Sequence, residues 1–137
     1  MKLLMGVHRK EFRAWSGGRL DIVKSSADCF QLFIHSEGAT LGVEVGQDEA
    51  SQIAQQMLDI CAFSGQRSAL DQLRSSLHLE NSLGETLVVQ YVNDGEPFRE
   101  GVRLALAVKG RWDLGESLDF EHHEAKGIAS FLQHVEQ

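Results

Sequence analysis

LGVEVGQDEASQIAQQMLDIC, residues 41–61, decides the fold. Its opening residues alternate: Leu41, Val43 and Val45 against Gly42, Glu44 and Gly46. That is the period of a strand with one buried face. The period then changes. Ala50, Ile53, Ala54, Met57, Leu58 and Cys61 fall at i, i+3, i+4, i+7, i+8 and i+11, one apolar stripe of period 3.6. Ser51, Gln52, Gln55, Gln56 and Asp59 form the opposite face. Gln47 or Asp48 is the expected N-cap, and Asp48 and Glu49 stand where the helix dipole favours acids. The stretch reads as strand, capped turn and amphipathic helix.

A second copy closes the chain: SLDFEHHEAKGIASFLQHV, residues 117–135. Glu49, Ala50, Ile53 and Ala54 match Glu124, Ala125, Ile128 and Ala129, 75 positions on. At the same offset Val43 and Val45 meet Leu118 and Phe120, Glu44 meets Asp119, and Met57 meets Leu132. Two amphipathic helices can share such letters by chance. A constant offset through the preceding strand points to duplication.

Working outward, strands are expected over residues 3–8, 20–24 and 30–35 ahead of 41–46, with Trp15-Ser16-Gly17-Gly18 as a turn. A connector at 64–75, with a capping box at Ser68 and Asp71, holds a short helix over 69–74. Strands follow at 77–80, 86–92, 102–109 and 118–120, then a helix over 121–135. Residues 110–115 read as a loop holding Trp112. The predicted class is α+β: two ββββα repeats, residues 1–63 and 76–137, with mainly antiparallel sheets and one helix packed on each. The two repeats are expected to form one compact domain.

Composition narrows the function. The 137 residues are 42% hydrophobic and 24% charged, an ordinary globular balance, and Gly 13 against Pro 1 suits many tight turns. The N-terminus lacks the apolar core of a signal peptide, and no apolar run reaches membrane-spanning length. Cys29 and Cys61 form no CxxC pair, which fits reduced thiols in a cytoplasmic protein. The net charge is −7 but uneven. Residues 1–25 carry Lys2, Arg9, Lys10, Arg13, Arg19 and Lys24 against Glu11 and Asp21, whereas residues 26–64 carry six acids and no Lys or Arg. The acidic whole disfavours indiscriminate nucleic-acid binding, and the basic edge leaves room for a directed contact.

No GxSxG, P-loop, HExxH or GxGxxG pattern is present, so an enzyme is not expected. His122 and His123 are adjacent at a helix start and diverge, so neither a metal site nor a cofactor is expected there. Cys61 belongs to the buried stripe and reads as a core thiol. The sheet faces turned away from the helices are the remaining candidates. They carry Gln31, Phe33 and His35 in one repeat, and Arg103, Ala105, Ala107 and Lys109 in the other. Phe12-Arg13-Ala14-Trp15 and Lys109-Gly110-Arg111-Trp112 interleave basic and aromatic residues, the chemistry that stacks bases and follows phosphates.

The duplicated ββββα order, carried by VEVGQDEASQIAQQML and LDFEHHEAKGIASFL, resembles the Whirly and PUR-type single-stranded nucleic-acid-binding proteins. It is similar also to the related single-strand-binding transcriptional coactivators. The resemblance is one of topology. It implies a curved sheet that binds single strands, often with self-association. On this reading the partner is single-stranded DNA or RNA, met by Arg13, Trp15, Arg19, Phe33, Arg103, Lys109, Arg111 and Trp112. A homodimer through helices or an edge strand such as 86–92 fits either function. The alternative is an acidic protein-binding accessory, such as an inhibitor, immunity or phage host-interaction protein, presenting the acid-only span to a basic partner.

Overall fold

The computed structural model describes residues 8–36, 39–62, 77–80, 84–94, 99–108 and 111–134. Strands β1 (His8–Arg13), β2 (Arg19–Ser26), β3 (Cys29–Ser36) and β4 (Ala39–Gly46) precede helix α1 (Gln47–Ala62). Strands β5 (Leu77–Glu80), β6 (Thr86–Asp94), β7 (Arg99–Val108) and β8 (Arg111–Phe120) precede helix α2 (His122–His134). Each set of four forms one sheet in chain order, and every paired neighbour is antiparallel. This is the α+β architecture of two ββββα units.

The repeat holds residue by residue. Ala50, Ile53, Ala54 and Met57 are fully buried, and so are Ala125, Ile128, Ala129 and Leu132. Val43 and Val45 face inward beside them, as do Leu118 and Phe120. Ile60 joins the buried face of α1, while Leu58 and Cys61 pack on its border. Helix α1 starts at Gln47, where the Glu49 carboxylate accepts the Gly46 N–H at 2.9 Å, half of a capping box. The Gln47 N–H goes to the Asp28 carbonyl in the β2–β3 turn at 2.9 Å, which ties the helix start to the sheet.

A strand runs over His8–Arg13, beyond the one expected at 3–8; residues 3–7 are outside the described residues, as is the connector helix at 69–74. Residues 111–115 are strand and not loop: β7 and β8 are long partners, and Val108 pairs with Arg111 across an irregularity in register. Pairing with β7 is seen at Arg111 and resumes at Glu116, in a stretch that has no alternation of its own.

A single apolar cluster joins both units. Leu20, Ile22, Phe30, Leu32 and Ile34 of the first sheet share it with Val89, Leu104, Leu106, Leu118 and Phe120 of the second. Each fully buried aliphatic or Phe side chain of this kind contributes roughly 1.5–3 kcal/mol. The helices pack against each other and reach across: α1 touches β6 and β7 as well as β3 and β4, and α2 touches β1 as well as β7. Phe12 of β1 meets Phe131 of α2 edge-on, with centroids 6.4 Å apart, beside Gly127.

The β1–β2 turn locks the units together. Gly17 and Gly18 take φ of 96° and 94°, a region closed to most side chains. The turn they shape lies on β8, where the Trp15 N–H donates to the Asp119 carbonyl at 2.9 Å and the Asp119 N–H donates to Ser16 Oγ at 3.1 Å. Main-chain groups at the edge of the second sheet are thereby satisfied. Among the described residues no helix is long and apolar enough to cross a membrane.

Candidate functional site

Registers place the residues of the first sheet's outer face in rows, one residue per strand. Arg13, Arg19, His35 and Thr40 form the first row, and Glu11, Asp21, Phe33 and Gly42 the second. Arg9, Val23, Gln31 and Glu44 form the third. The face exists because alternation in β2, β3 and β4 sends Leu20, Ile22, Leu32, Ile34, Val43 and Val45 to the core and leaves every second residue outside.

Asp21 organises the face. It is only 4% exposed although it lies on the outer side. Its Oδ2 accepts from Arg9 Nη2 at 3.4 Å and lies 3.0 Å from His35 Nε2. Its Oδ1 lies 3.4 Å from Arg19 Nε as an ion pair, without hydrogen-bond geometry. His35 Nδ1 is 3.0 Å from Thr40 Oγ1, so the imidazole bridges a carboxylate and a hydroxyl. With Nε2–H donating to Asp21, Nδ1 accepts from Thr40 when the ring is neutral and donates to it when the ring is charged. Arg19 Nε also meets Glu11 Oε2 at 3.1 Å. Arg9 and Arg13 are exposed.

Phe33 stands half-buried on this face, its ring lying over Gly42. A hollow of about 300 Å³ opens beside it, lined by Gln31, Phe33, Gly42, Val43, Glu44 and Glu85. Charge is therefore graded across the sheet, basic at β1 and β2 and acidic at β4. Cys29 sits at the acidic side with its thiol against Glu44. Burial pushes that thiol above its ordinary pKa, and the Glu44 carboxylate adds to the rise. Burial also raises Cys61, opposed by Lys126.

The second sheet is different on its outer side. Val88, Val92 and Ala107 are 4%, 8% and 2% exposed although they face away from the helices. Arg103 is committed to its cross-strand neighbour Asp119 in a two-point pair, Nε to Oδ1 at 2.7 Å and Nη2 to Oδ2 at 3.0 Å. Trp15 lies against Gly101, where an added Cβ would come within 2.6 Å of the indole. The structure thus brings Arg13, Arg19 and Phe33 onto one face and sets Trp15 and Arg103 against the second sheet. Lys109 lies outside the described residues. Arg111 and Trp112 belong to β8, with side chains outside the description.

The chain's alternation did not show Asp21 or Lys24. Lys24 is turned inward, 7% exposed, with Nζ 3.0 Å from the Ala27 carbonyl and 4.6 Å from the Phe30 centroid. The break in alternation at Val23-Lys24, apolar outside and basic inside, was the available signal for Lys24, whereas Leu20-Asp21-Ile22 alternates regularly and gave none for Asp21. His123 is exposed and pairs with Glu121 and Glu124, and no group of three or more metal-ligating side chains occurs among the described residues. No protein-family model matches the chain, and no curated protein matches it significantly.

Proposed function

We propose that the outer face of the first sheet binds single-stranded nucleic acid, and that the protein is a binding module and not an enzyme. The observation that carries this reading is Phe33, partly exposed in the middle of the face, with Arg13 and Arg19 in the row on one side and Arg9 in the row on the other. A base stacked on Phe33 contributes about 1–3 kcal/mol, and arginines on either side neutralise neighbouring phosphates. Rows in a sheet are separated by two residues of strand, roughly 7 Å, which suits the spacing of successive phosphates on an extended strand. On the second sheet the matching position to Phe33 is Ala105, which offers no ring for a base to stack on, and this favours the first repeat.

Fluorescence anisotropy with short single-stranded DNA and RNA at low and moderate salt tests the reading. Binding at low salt that weakens with a slope of about two, as expected for three phosphate contacts at ~0.7 each, supports it. Phe33→Ala weakens it about tenfold at unchanged fold. Absence of binding by the wild type at low salt ends it.

A second reading draws on the acidic side. Glu44 and Glu85 line the hollow, and Asp48 and Asp59 are exposed on α1, within a span that holds no Lys or Arg. These groups suit a basic protein partner. Pull-down from lysate, repeated with Glu44→Lys, separates the readings: a partner retained by the variant rules out this surface.

A further inference from the structure

Asp21 has a counterpart that carries no charge. In the first unit it lies opposite Phe33, one residue from the pair Leu32 and Val43; in the second, Val88 lies opposite Ala105, one residue from the pair Leu104 and Leu118. Val43 and Leu118 are the duplicated positions of the strand before the helix, so Asp21 and Val88 occupy the same place in the two sheets. Both are 4% exposed. The fold builds this position equally well with an aliphatic side chain. A carboxylate there is costly, because withdrawing it from water takes several kcal/mol that ion pairs only partly return. Fold stability therefore does not account for Asp21.

Its partners share one property. The carboxylate is buried, but the side chains it holds are not: Arg9 is 64% exposed, Arg19 41% and His35 23%. Arg19 meets both carboxylates through Nε, so its terminal nitrogens take no part in these two ion pairs. The long arginine stems would otherwise range over many rotamers, and ordering each on binding costs roughly two- to twelvefold in affinity.

We infer that Asp21 is a positioning residue for the nucleic-acid surface: from beneath the face it fixes Arg9, Arg19 and His35 around Phe33, so that phosphate meets donors already in place. The inference rests on the reading of Phe33 given above. It assigns a negatively charged residue a favourable part in binding an anion, which is opposite to what charge alone requires.

The substitution that tests it is Asp21→Val, which copies the second repeat. Circular dichroism and thermal melting are expected to report an intact fold. Single-strand affinity is expected to fall about tenfold, the order of the ordering cost of the freed arginines, with a shallower salt slope. Glu11→Gln, which removes the other acid from Arg19 but touches neither Arg9 nor His35, is expected to cost less affinity than Asp21→Val, and an equal cost overturns the inference. In an Arg19→Ala background, Asp21→Val costs less than it does alone. Equal or tighter binding by Asp21→Val overturns the inference, and so does loss of the fold, which makes Asp21 structural. If Phe33→Ala weakens binding and Asp21→Val does not, only the positioning role falls. If the wild type does not bind, the surface itself falls and this role with it.

Discussion

Trp15→Ala separates a structural aromatic from a functional one. The indole is half-buried against Gly101, and the adjoining main chain joins the first unit to β8. A fully buried Trp removes up to about 250 Å² from water; about 100 Å² is a fair share for a half-buried ring, worth ~2.5 kcal/mol at ~25 cal/mol per Å². With ~2.1 cal/mol/K per residue, unfolding 137 residues carries about 0.29 kcal/mol/K. The expected fall in Tm is about 8–9 °C, read by calorimetry or circular dichroism. Oligonucleotide affinity measured well below Tm should change less than twofold. Gly101→Ala should act in the same direction, because the new methyl meets the indole and also the Phe120 carbonyl, a ladder group that cannot move cheaply. A Trp15→Ala protein with Tm within about 2 °C of wild type and clearly weakened binding would refute the packing argument and return Trp15 to the binding surface.

Three further expectations follow from the same contacts. Arg103→Ala leaves the buried Asp119 carboxylate without its two-point partner and should cost about 2 kcal/mol, below the ~3–5 for a fully buried pair because Arg103 is partly exposed; urea denaturation measures it, and Arg103→Leu with Asp119→Leu should recover much of the loss. Val88→Lys places an ammonium at a buried outer position and should destabilise by several kcal/mol, whereas an unchanged urea midpoint would mean that this face is open. Both thiols are raised above the ordinary value, so less thiolate is present at pH 8 than in free cysteine, and alkylation by iodoacetamide should be slow there and accelerate only at higher pH. Glu44→Gln removes a cause of the rise at Cys29 and should speed its alkylation, leaving Cys61 unchanged, as mass spectrometry of the two peptides would show.

Much of the fold was legible because both helices and most strands bury one face, and burial imposes a period. Ala50, Ile53, Ala54 and Met57 declared their face by spacing alone, and their partners 75 residues on declared the duplication. The start of β8 was not legible, since residues 111–115 carry no alternation and Arg111 meets Val108 across an irregular register. The proposed surface was legible in part. Phe33 was expected on the outer face from its place in an alternating strand, whereas Arg13 and Arg19 join that face because β1 and β2 run to Arg13 and from Arg19, beyond the strands expected at 3–8 and 20–24. Trp15 and Arg103 carry the same residue chemistry but have partners far away in the chain: Gly101 lies against one and Asp119 holds the other.

The amino-acid sequence thus determined what depends on near neighbours: the two periods, the capped turns, the repeated strand–helix unit and the choice of inward and outward side chains. Tertiary structure alone decided what depends on contacts between distant segments. It crossed each helix onto the strands of the other unit, set the Trp15 turn on β8, buried Val88, Val92 and Ala107 on the outer side of the second sheet and drew Arg9, Arg19 and His35 around Asp21. The physical reason is the range of the forces. Backbone conformation and one-sided burial act within a few residues and leave a period, whereas ion pairs and close packing join residues with no fixed separation in the chain and leave none.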